Sequence, residues 1–188
     1  MKETSIYFKR RKKLARLMQN NSIVILESAT EKTRNNDSLF RYRQCSNFYY
    51  LTGYNLPNAT LFIVKKNNKL ISHFFTKKPN KHDEIWTGKL DNSIKVCKTL
   101  SMDKCNYIDS INMYLDTYLK NCLTIYHSLD KSSDLKQLIE DKTETLQKKY
   151  RKGAEYPSKI ISLNKILHKI RLIKSLDEIS QIKKACDI

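Results

Sequence analysis

A polar stretch that runs into an aromatic segment, between Arg34 and Gly53, holds the residues of this 188-residue chain best suited to chemistry. Arg34, Arg41 and Arg43 supply planar guanidinium groups, which donate paired hydrogen bonds to carboxylates. Residues 35–38 favour turns because their short side chains bond nearby backbone groups. This pattern predicts a rigid wall beside a site. The alternative is a loop held together by its own hydrogen bonds.

The aromatic segment is Phe48-Tyr49-Tyr50-Leu51. Aromatic residues favour strands, and the following Thr-Gly pair is typical of a turn. We therefore predict a strand over 47–52, with its tyrosines in the core or at an interface.

The polar residues before this segment are expected to form one network inside or against a sheet. Asp37 is the expected carboxylate partner of Arg43 or Arg34. Both a structural and a substrate-binding role fit the pattern. The expected members are Arg34, Asn36, Asp37, Tyr42, Arg43, Gln44 and Ser46.

Alternating helices and strands must position these residues, and this alternation predicts an α/β layered domain. Residues Ser175 and Glu178 match a capping box, so a further helix begins there. We place a domain boundary near Lys174. The hydrophobic periodicity predicts helices over 5–19, 90–100, 108–119, 132–149, 158–170 and from 175, and strands over 23–26, 47–52, 60–65, 69–76 and 123–127.

In the first helix, the basic residues are expected on the outer face and Thr4 or Ser5 as the cap, opposite an approximate apolar stripe of Phe8, Leu14, Leu17 and Met18. Residues 76–83 are expected to form a polar, lysine-rich loop.

Several classes of protein lack support. The sequence contains no GxSxG, GxGxxG or GxxxxGK motif, and the four histidines have no metal-ligand spacing. The five cysteines form no CxxC pair, which favours reduced thiols and a cytoplasmic location. We see no signal peptide and no apolar run long enough to cross a membrane.

The formal charge of +17 suggests binding to nucleic acid. However, the chain has 28 lysines against 8 arginines, and arginine is the residue that reads bases through paired hydrogen bonds. We therefore expect only weak, sequence-independent binding to polyanions, with no specific nucleic-acid partner.

Motifs across nearly the whole chain resemble the N-terminal domain of aminopeptidase P (Xaa-Pro aminopeptidase). The resemblance lies in the order of the motifs, since each one alone is weak. They are the basic helix from Phe8 to Met18, the strand Ser22–Leu26, the Arg34-Asn-Asn-Asp-Ser and Tyr42-Arg-Gln-x-Ser-x-Phe-Tyr-Tyr-Leu-Thr-Gly53 runs, Pro57, Glu84-Ile-Trp-Thr-Gly88 and the segment His168–Ala185.

The resemblance implies a three-layer α/β domain in which helices flank a mixed sheet of about six strands. It implies an N-terminal domain over 1–173 and the first helix of a catalytic domain over 174–188. In this family a C-terminal metallopeptidase domain removes the residue that precedes a proline, usually with manganese held by two Asp, one His and two Glu. This chain reaches Ile188 without such ligands. We therefore expect a non-catalytic portion, inactive alone, that carries no metal.

The resemblance also implies roles in shaping the active-site entrance and in oligomer contacts. Its partners would be the catalytic domain, further copies of the chain and peptides with proline at the second position. In the family, the residue that matches Trp86 lies at a neighbouring subunit's active site. Some members carry an arginine where this chain has Glu155, so that interdomain contact is in doubt. The expected entrance or interface residues are Trp86, Arg34, Asn36, Asp37, Tyr42, Arg43, Gln44, Tyr49 and Tyr50.

Two alternatives come from other classes. One is a standalone binding or scaffold protein, or a gene remnant, and the other is a basic nucleic-acid-binding protein. The apolar positions Ile179, Ile182 and Ala185 distinguish the first alternative, because a domain that stands alone gains nothing from an apolar half-helix.

Overall fold

A six-stranded mixed sheet forms the centre of the molecule, in the order β6-β5-β4-β1-β7-β8. The computed structural model describes residues 6–128, 133–149 and 155–187, and within them it leaves the side chains of Asp83, Trp86 and Thr87 undescribed. The strands are β1 Ser22–Glu27, β2 Thr33–Asn35, β3 Ser38–Leu39, β4 Ala59–Lys66, β5 Lys69–Thr76, β6 Lys104–Tyr107, β7 Thr124–His127 and β8 Lys159–Ser162.

Helices cover both faces of this sheet. They are α1 Ile6–Leu17, α2 Ser46–Thr52, α3 Lys81–Thr87, α4 Ser93–Leu100, α5 Ile111–Leu119, α6 Asp134–Lys148, α7 Leu163–Leu172 and α8 Leu176–Cys186. The capping box predicted for the last helix is present, since Ser175 and Glu178 bond each other's backbone N–H. The caps expected for α1 at Thr4 or Ser5 lie outside the described residues.

Strand β1 divides the interior into two cores. It pairs antiparallel with β4 and parallel with β7, and its residues 22–26 are all buried. Because successive side chains of a strand point to opposite faces, Val24 and Leu26 join one core while Ile23 and Ile25 join the other. The first core contains residues of α1, α2, α4 and α7, and the second contains residues of α5 and α6. The predicted three-layer fold is therefore confirmed.

Arg11 corrects the prediction that the basic residues of α1 all face outward. Its side chain is 1% exposed, whereas Leu17, expected on the apolar face, is half exposed. The Arg11 guanidinium donates to the carbonyls of Leu51, at 2.9 Å, and of Leu100 and Ser101, at 2.9 and 2.7 Å. These carbonyls end α2 and α4, where the helix leaves its last carbonyls without partners. Arg11 thus joins three helices through one buried cation.

The predicted strand over 47–52 is wrong, because these residues form helix α2. Phe48, Leu51 and Thr52 are its buried residues, a spacing of three and four that places them on one face of a helix. Gly53 takes the left-handed conformation, with φ of 71°, and its N–H bonds the carbonyl of Tyr49. The Thr-Gly pair is therefore a helix C-terminus and not a strand turn.

The two edge strands, β6 and β8, were not predicted. Strand β8 occupies 159–162, at the start of the helix predicted over 158–170, and α7 begins only at Leu163. The polar loop predicted over 76–83 ends earlier than expected, because α3 begins at Lys81. The strand predictions over 23–26, 60–65, 69–76 and 123–127 are confirmed to within one residue at each end.

His73 lies fully buried in β5. Its Nε2 is 2.8 Å from Oδ1 of Asn106 and its Nδ1 is 2.9 Å from the Tyr118 hydroxyl. Because an amide oxygen can only accept, Nε2 carries the proton and the Tyr118 hydroxyl donates to Nδ1. Burial lowers the pKa of His73 and raises that of Tyr118 to about 12. The pair is a neutral, satisfied part of the core, which accounts for this histidine without a role in chemistry.

Candidate functional site

An open groove of about 1240 Å³ lies between α1, the segment 42–50 and the α7–α8 region. Six residues of the polar and aromatic stretch that the sequence singled out line it. They are Tyr42, Arg43, Gln44, Ser46, Tyr49 and Tyr50.

Gln44 holds one wall of this groove in place. Its buried side-chain oxygen accepts hydrogen bonds from the N–H groups of Ala29, at 2.7 Å, and Cys45, at 2.9 Å. Its side-chain nitrogen donates to the carbonyls of Tyr54 and Leu56, at 3.2 and 3.0 Å. Gln44 thus has all its hydrogen bonds satisfied by backbone, which makes it a structural residue rather than a ligand.

Tyr42 has the same structural character, because its hydroxyl donates to the carbonyl of Ala29 at 3.2 Å. Burial raises the pKa of Tyr42, so it keeps its proton at neutral pH. In contrast, Arg43 and Ser46 are exposed at the rim of the groove. Tyr42 and Gln44 therefore have structural roles, whereas the exposed Arg43 is the residue of this segment that is placed to bind a ligand carboxylate.

The expected polar network is wrong for Arg34, Asn36 and Asp37. These residues lie exposed on a small hairpin made of β2 and β3, away from the main sheet. Within the part of the chain that the structure describes, Asp37 forms no ion pair with Arg34 or Arg43. Asn36 has a φ of 45°, so it serves as the turn residue. Leu39 and Phe40 are also more than half exposed, and the hairpin therefore presents an uncovered surface.

Tyr50 is the centre of an aromatic and cationic cluster in the groove. The Arg10 guanidinium carbon lies 4.0 Å from the centre of its ring, and that of Arg171 lies at 5.4 Å. Arg10 also donates to the Tyr50 carbonyl, at 3.2 Å, and to the carboxylate of Glu178, at 2.9 Å. Burial raises the pKa of Tyr50, so the ring stays neutral between these cations. The cluster joins α1 and α2 to α7 and α8.

Asn47 adds a second link across the same groove. Its side-chain nitrogen donates to Oδ1 of Asn164, at 2.9 Å, and its oxygen accepts from Arg171 at 2.5 Å. The sequence analysis missed Arg10, Asn47 and Arg171. Arg10 could have been singled out, because it lies in the basic helix from Phe8 to Met18 that resembles a family motif. For Asn47 and Arg171, nothing in the spacing brings residues 124 positions apart together.

Trp86 lies on α3, and its side chain is among those not described. Both ends of helix α3 are described. The Asn80 side chain accepts from the N–H of His82, at 3.1 Å, and Gly88 ends the helix with a φ of 79°. The prediction for Trp86 therefore stays a prediction.

The described residues do not fit a metal site. Among them, no group of three or more His, Cys, Asp and Glu side chains is arranged to hold a metal ion. Within the same ranges, no helix is long and apolar enough to span a membrane.

The fold defines a class: an α/β domain in which helices cover both faces of a six-stranded mixed sheet. A variant of Escherichia coli aminopeptidase P superposes with a TM-score of 0.90 at 29% identity, covering 97% of this chain and 42% of that one. Proline aminopeptidase P II from Yersinia pestis superposes with a TM-score of 0.85 at 32% identity, covering 93% of this chain and 40% of that one.

The family model described as "Aminopeptidase P, N-terminal domain" matches residues 7–126, and the chain belongs to this family. Among curated relatives, the Xaa-Pro aminopeptidase of Escherichia coli is 30% identical over 96% of this chain and 41% of that protein. The Xaa-Pro aminopeptidase of Haemophilus influenzae is 30% identical over 95% of this chain and 39% of that protein. The chain thus spans about two fifths of the length of these relatives.

Proposed function

We propose that this chain is the non-catalytic N-terminal domain of an Xaa-Pro metalloaminopeptidase that acts in the cytoplasm. The observation that carries the proposal is the family match over residues 7–126, together with relatives that extend well beyond the aligned two fifths. The domain would shape the entrance of the active site and contribute contacts between subunits. The metal, which we propose to be manganese, would be held by ligands outside the described residues.

The proposal divides the chain into an N-terminal domain over 1–173 and the first helix of a catalytic domain over 174–188. The exposure of α8 supports this division. Every residue of α8 is described and none is buried, and Leu176 at its start is 85% exposed. Leu172 and Ile173, just before it, are also about three quarters exposed. Apolar side chains left this open favour a covering partner, which the catalytic domain would supply.

The exposed residues of the predicted set are the ones suited to the entrance and the interface. Arg34, Asn36, Asp37 and Arg43 are exposed, and Tyr49 is 44% exposed. Gln44 and Tyr42 would support them from behind through their backbone hydrogen bonds. The arginines offer forked donors to the carboxylate of a peptide or of a neighbouring subunit.

The first test is the reading frame downstream of the Ile188 codon, joined to an activity assay. We expect the frame to encode two Asp, one His and two Glu within about one further domain. We also expect residues 1–188 to release no N-terminal residue from Xaa-Pro peptides with manganese added, while the longer protein does. Activity that scales with the purified short chain would contradict the proposal.

The role of Trp86 is tested by Trp86→Ala in the longer protein. We expect a change in the oligomer size measured by light scattering, in the KM for Xaa-Pro peptides, or in both, because a large apolar contact would be lost. Met113→Ala is the control, since Met113 is an exposed apolar residue on α5, whose buried residues belong to the second core. Unchanged oligomer size and unchanged kinetics in Trp86→Ala would exclude the role.

A standalone binding protein is the second candidate, and the exposed apolar residues of α8 argue against it. A stop codon directly after Ile188 would favour it instead. The search would then turn to separate proteins that cover α8.

A further inference from the structure

Glu178 makes the polar contact that attaches α8 to the domain. No residue of α8 is buried, and of its eleven residues only Glu178 is less than exposed. Ile179 and Ile182 are 40% and 50% exposed, so they add partial apolar cover. An isolated helix of this length is only marginally stable in water, because forming its first turn is unfavourable. Among the described residues, Glu178 makes the side-chain hydrogen bond that joins α8 to another element.

The Glu178 carboxylate has two separate tasks, one for each oxygen. Oε2 accepts from the N–H of Ser175, at 2.8 Å, and closes the capping box that starts the helix. Oε1 accepts from the Arg10 guanidinium, at 2.9 Å, across 168 residues of sequence. One side chain thus links the formation of α8 to its attachment.

Arg10 is held ready for this contact by the domain itself. Its guanidinium packs on the ring of Tyr50, at 4.0 Å, and lies 5.5 Å from the centre of the Tyr7 ring. It also donates to the Tyr50 carbonyl, at 3.2 Å. These contacts fix Arg10 from α1 and α2, so the pair loses little side-chain freedom when it forms. The Arg10 and Glu178 side chains are only 15% and 22% exposed, so water screens the pair less than a surface pair.

We propose that Arg10 and Glu178 form a clasp that sets the orientation of α8 on the domain. When the ion pair is formed, α8 has one fixed orientation relative to α7. When the ion pair is broken, α8 stays helical because its cap remains, but it rotates as a rigid unit about residues 173–175, while the two cores remain intact. The clasp is thus a conformational device by which a competing carboxylate or guanidinium group redirects whatever follows α8.

The test is nitrogen-15 relaxation of the full chain, with Glu178→Gln as the main variant. Glutamine also serves at this position of a capping box, so the helix start is retained while the ion pair is lost. We expect the Cα chemical shifts of α8 to stay helical. We expect its backbone order parameters to fall from about 0.85, typical of rigid structure, to below about 0.6. The order parameters of α1 and α7 should not change.

Two comparisons separate the clasp from the cap. Ser175→Ala removes the hydroxyl that caps α8 and leaves the ion pair, so it should weaken the first-turn helical shifts without freeing the whole helix. Asp91→Asn is the control for charge, because it breaks the exposed pair of Asp91 with Lys95, at 2.7 Å at the start of α4, and should leave α8 unchanged.

Arg10→Gln completes the test. If the clasp is right, Arg10→Gln and Glu178→Gln free α8 to the same extent, and the double variant frees it no further. Order parameters of α8 in Glu178→Gln that match the native chain would overturn the proposal. So would a double variant that is looser than either single variant, since the two residues would then act independently.

Discussion

At the scale of single residues, the molecule relies on polar side chains placed where a sequence pattern predicts either apolar packing or solvent. Arg11 and His73 are both almost wholly buried; the terminal nitrogens of Arg11 donate three hydrogen bonds, and both ring nitrogens of His73 are bonded. Each therefore contributes to stability in a way that a measurement can isolate.

Replacing Arg11 by methionine should destabilise the domain by about 3 kcal/mol, because three carbonyls at the ends of α2 and α4, two of them in buried hydrogen bonds, lose a charged donor. The free energy of unfolding in urea measures this loss. Arg16→Met on the same helix is the matched control. Arg16 is exposed, so its change should stay within about 0.5 kcal/mol. Equal losses in the two variants would show that Arg11 does not join the helices.

The buried, neutral His73 should make stability fall in acid. Its pKa is lowered in the folded state, whereas an unfolded histidine titrates near 6.5. As the pH drops below about 6.5, the unfolded chain therefore binds a proton that the folded chain does not, at a cost of up to about 1.4 kcal/mol per pH unit.

Urea unfolding between pH 7.5 and 5 measures this slope. His73→Gln should flatten it, and His168→Gln should not, because His168 is exposed on α7. An unchanged slope in His73→Gln would assign the pH dependence to other groups.

At the scale of elements, the sequence predicted the interior strands better than the edges. The buried run Ile23–Leu26 and the pair of strands around the Asn67-Asn68 turn carry strong apolar and turn signals, and both were found. Strands β6 and β8 have four residues each and lie at the two edges of the sheet. An edge strand buries less, so its sequence carries less of the apolar pattern that identifies strands.

Helix α2 shows how intrinsic preference fails when packing opposes it. The run Phe48–Leu51 has high strand preference, but tertiary contacts with the first core stabilise the helix. Six residues of segment 42–50 line the groove, and the sequence could group them because they lie close together in the chain. The groove is also lined by Arg10, Arg171 and Glu178, which come from the two ends of the chain. Local sequence patterns do not predict contacts between residues so far apart in sequence.

The close approach of Gly53 to α1 gives a test at this scale. A Cβ at Gly53 would overlap the Tyr7 ring, and its φ of 71° already disfavours other residues. Gly53→Ala should therefore destabilise the domain by about 2–4 kcal/mol in urea unfolding. Gly53→Ala in a Tyr7→Ala background is the control, because the ring that the Cβ would meet is then absent, and there the substitution should lose only the about 1 kcal/mol of the left-handed backbone. Equal losses would mean that backbone strain alone, and not the Tyr7 contact, requires glycine at position 53.

At the scale of the whole molecule, the charge of +17 has a measurable consequence for association. We expect weak binding to duplex DNA at low salt that disappears by about 0.3 M, because the attraction comes from counterion release alone. Fluorescence anisotropy with two duplexes of unrelated sequence measures it, and the two should bind equally. Binding that persists at about 0.3 M, or that prefers one duplex, would favour a true nucleic-acid function.

The position of β1 at the centre of the sheet has a consequence for synthesis on the ribosome. Its antiparallel neighbour β4 ends at Lys66, but its parallel neighbour β7 begins only at Thr124. At about 5–20 residues per second, one side of β1 stays open for roughly 3–12 s between the end of β4 and the start of β7. During that interval β1, β4 and β5 form a meander with an apolar free edge. That edge is the surface on which chaperone binding, or pairing with another nascent chain, would first act.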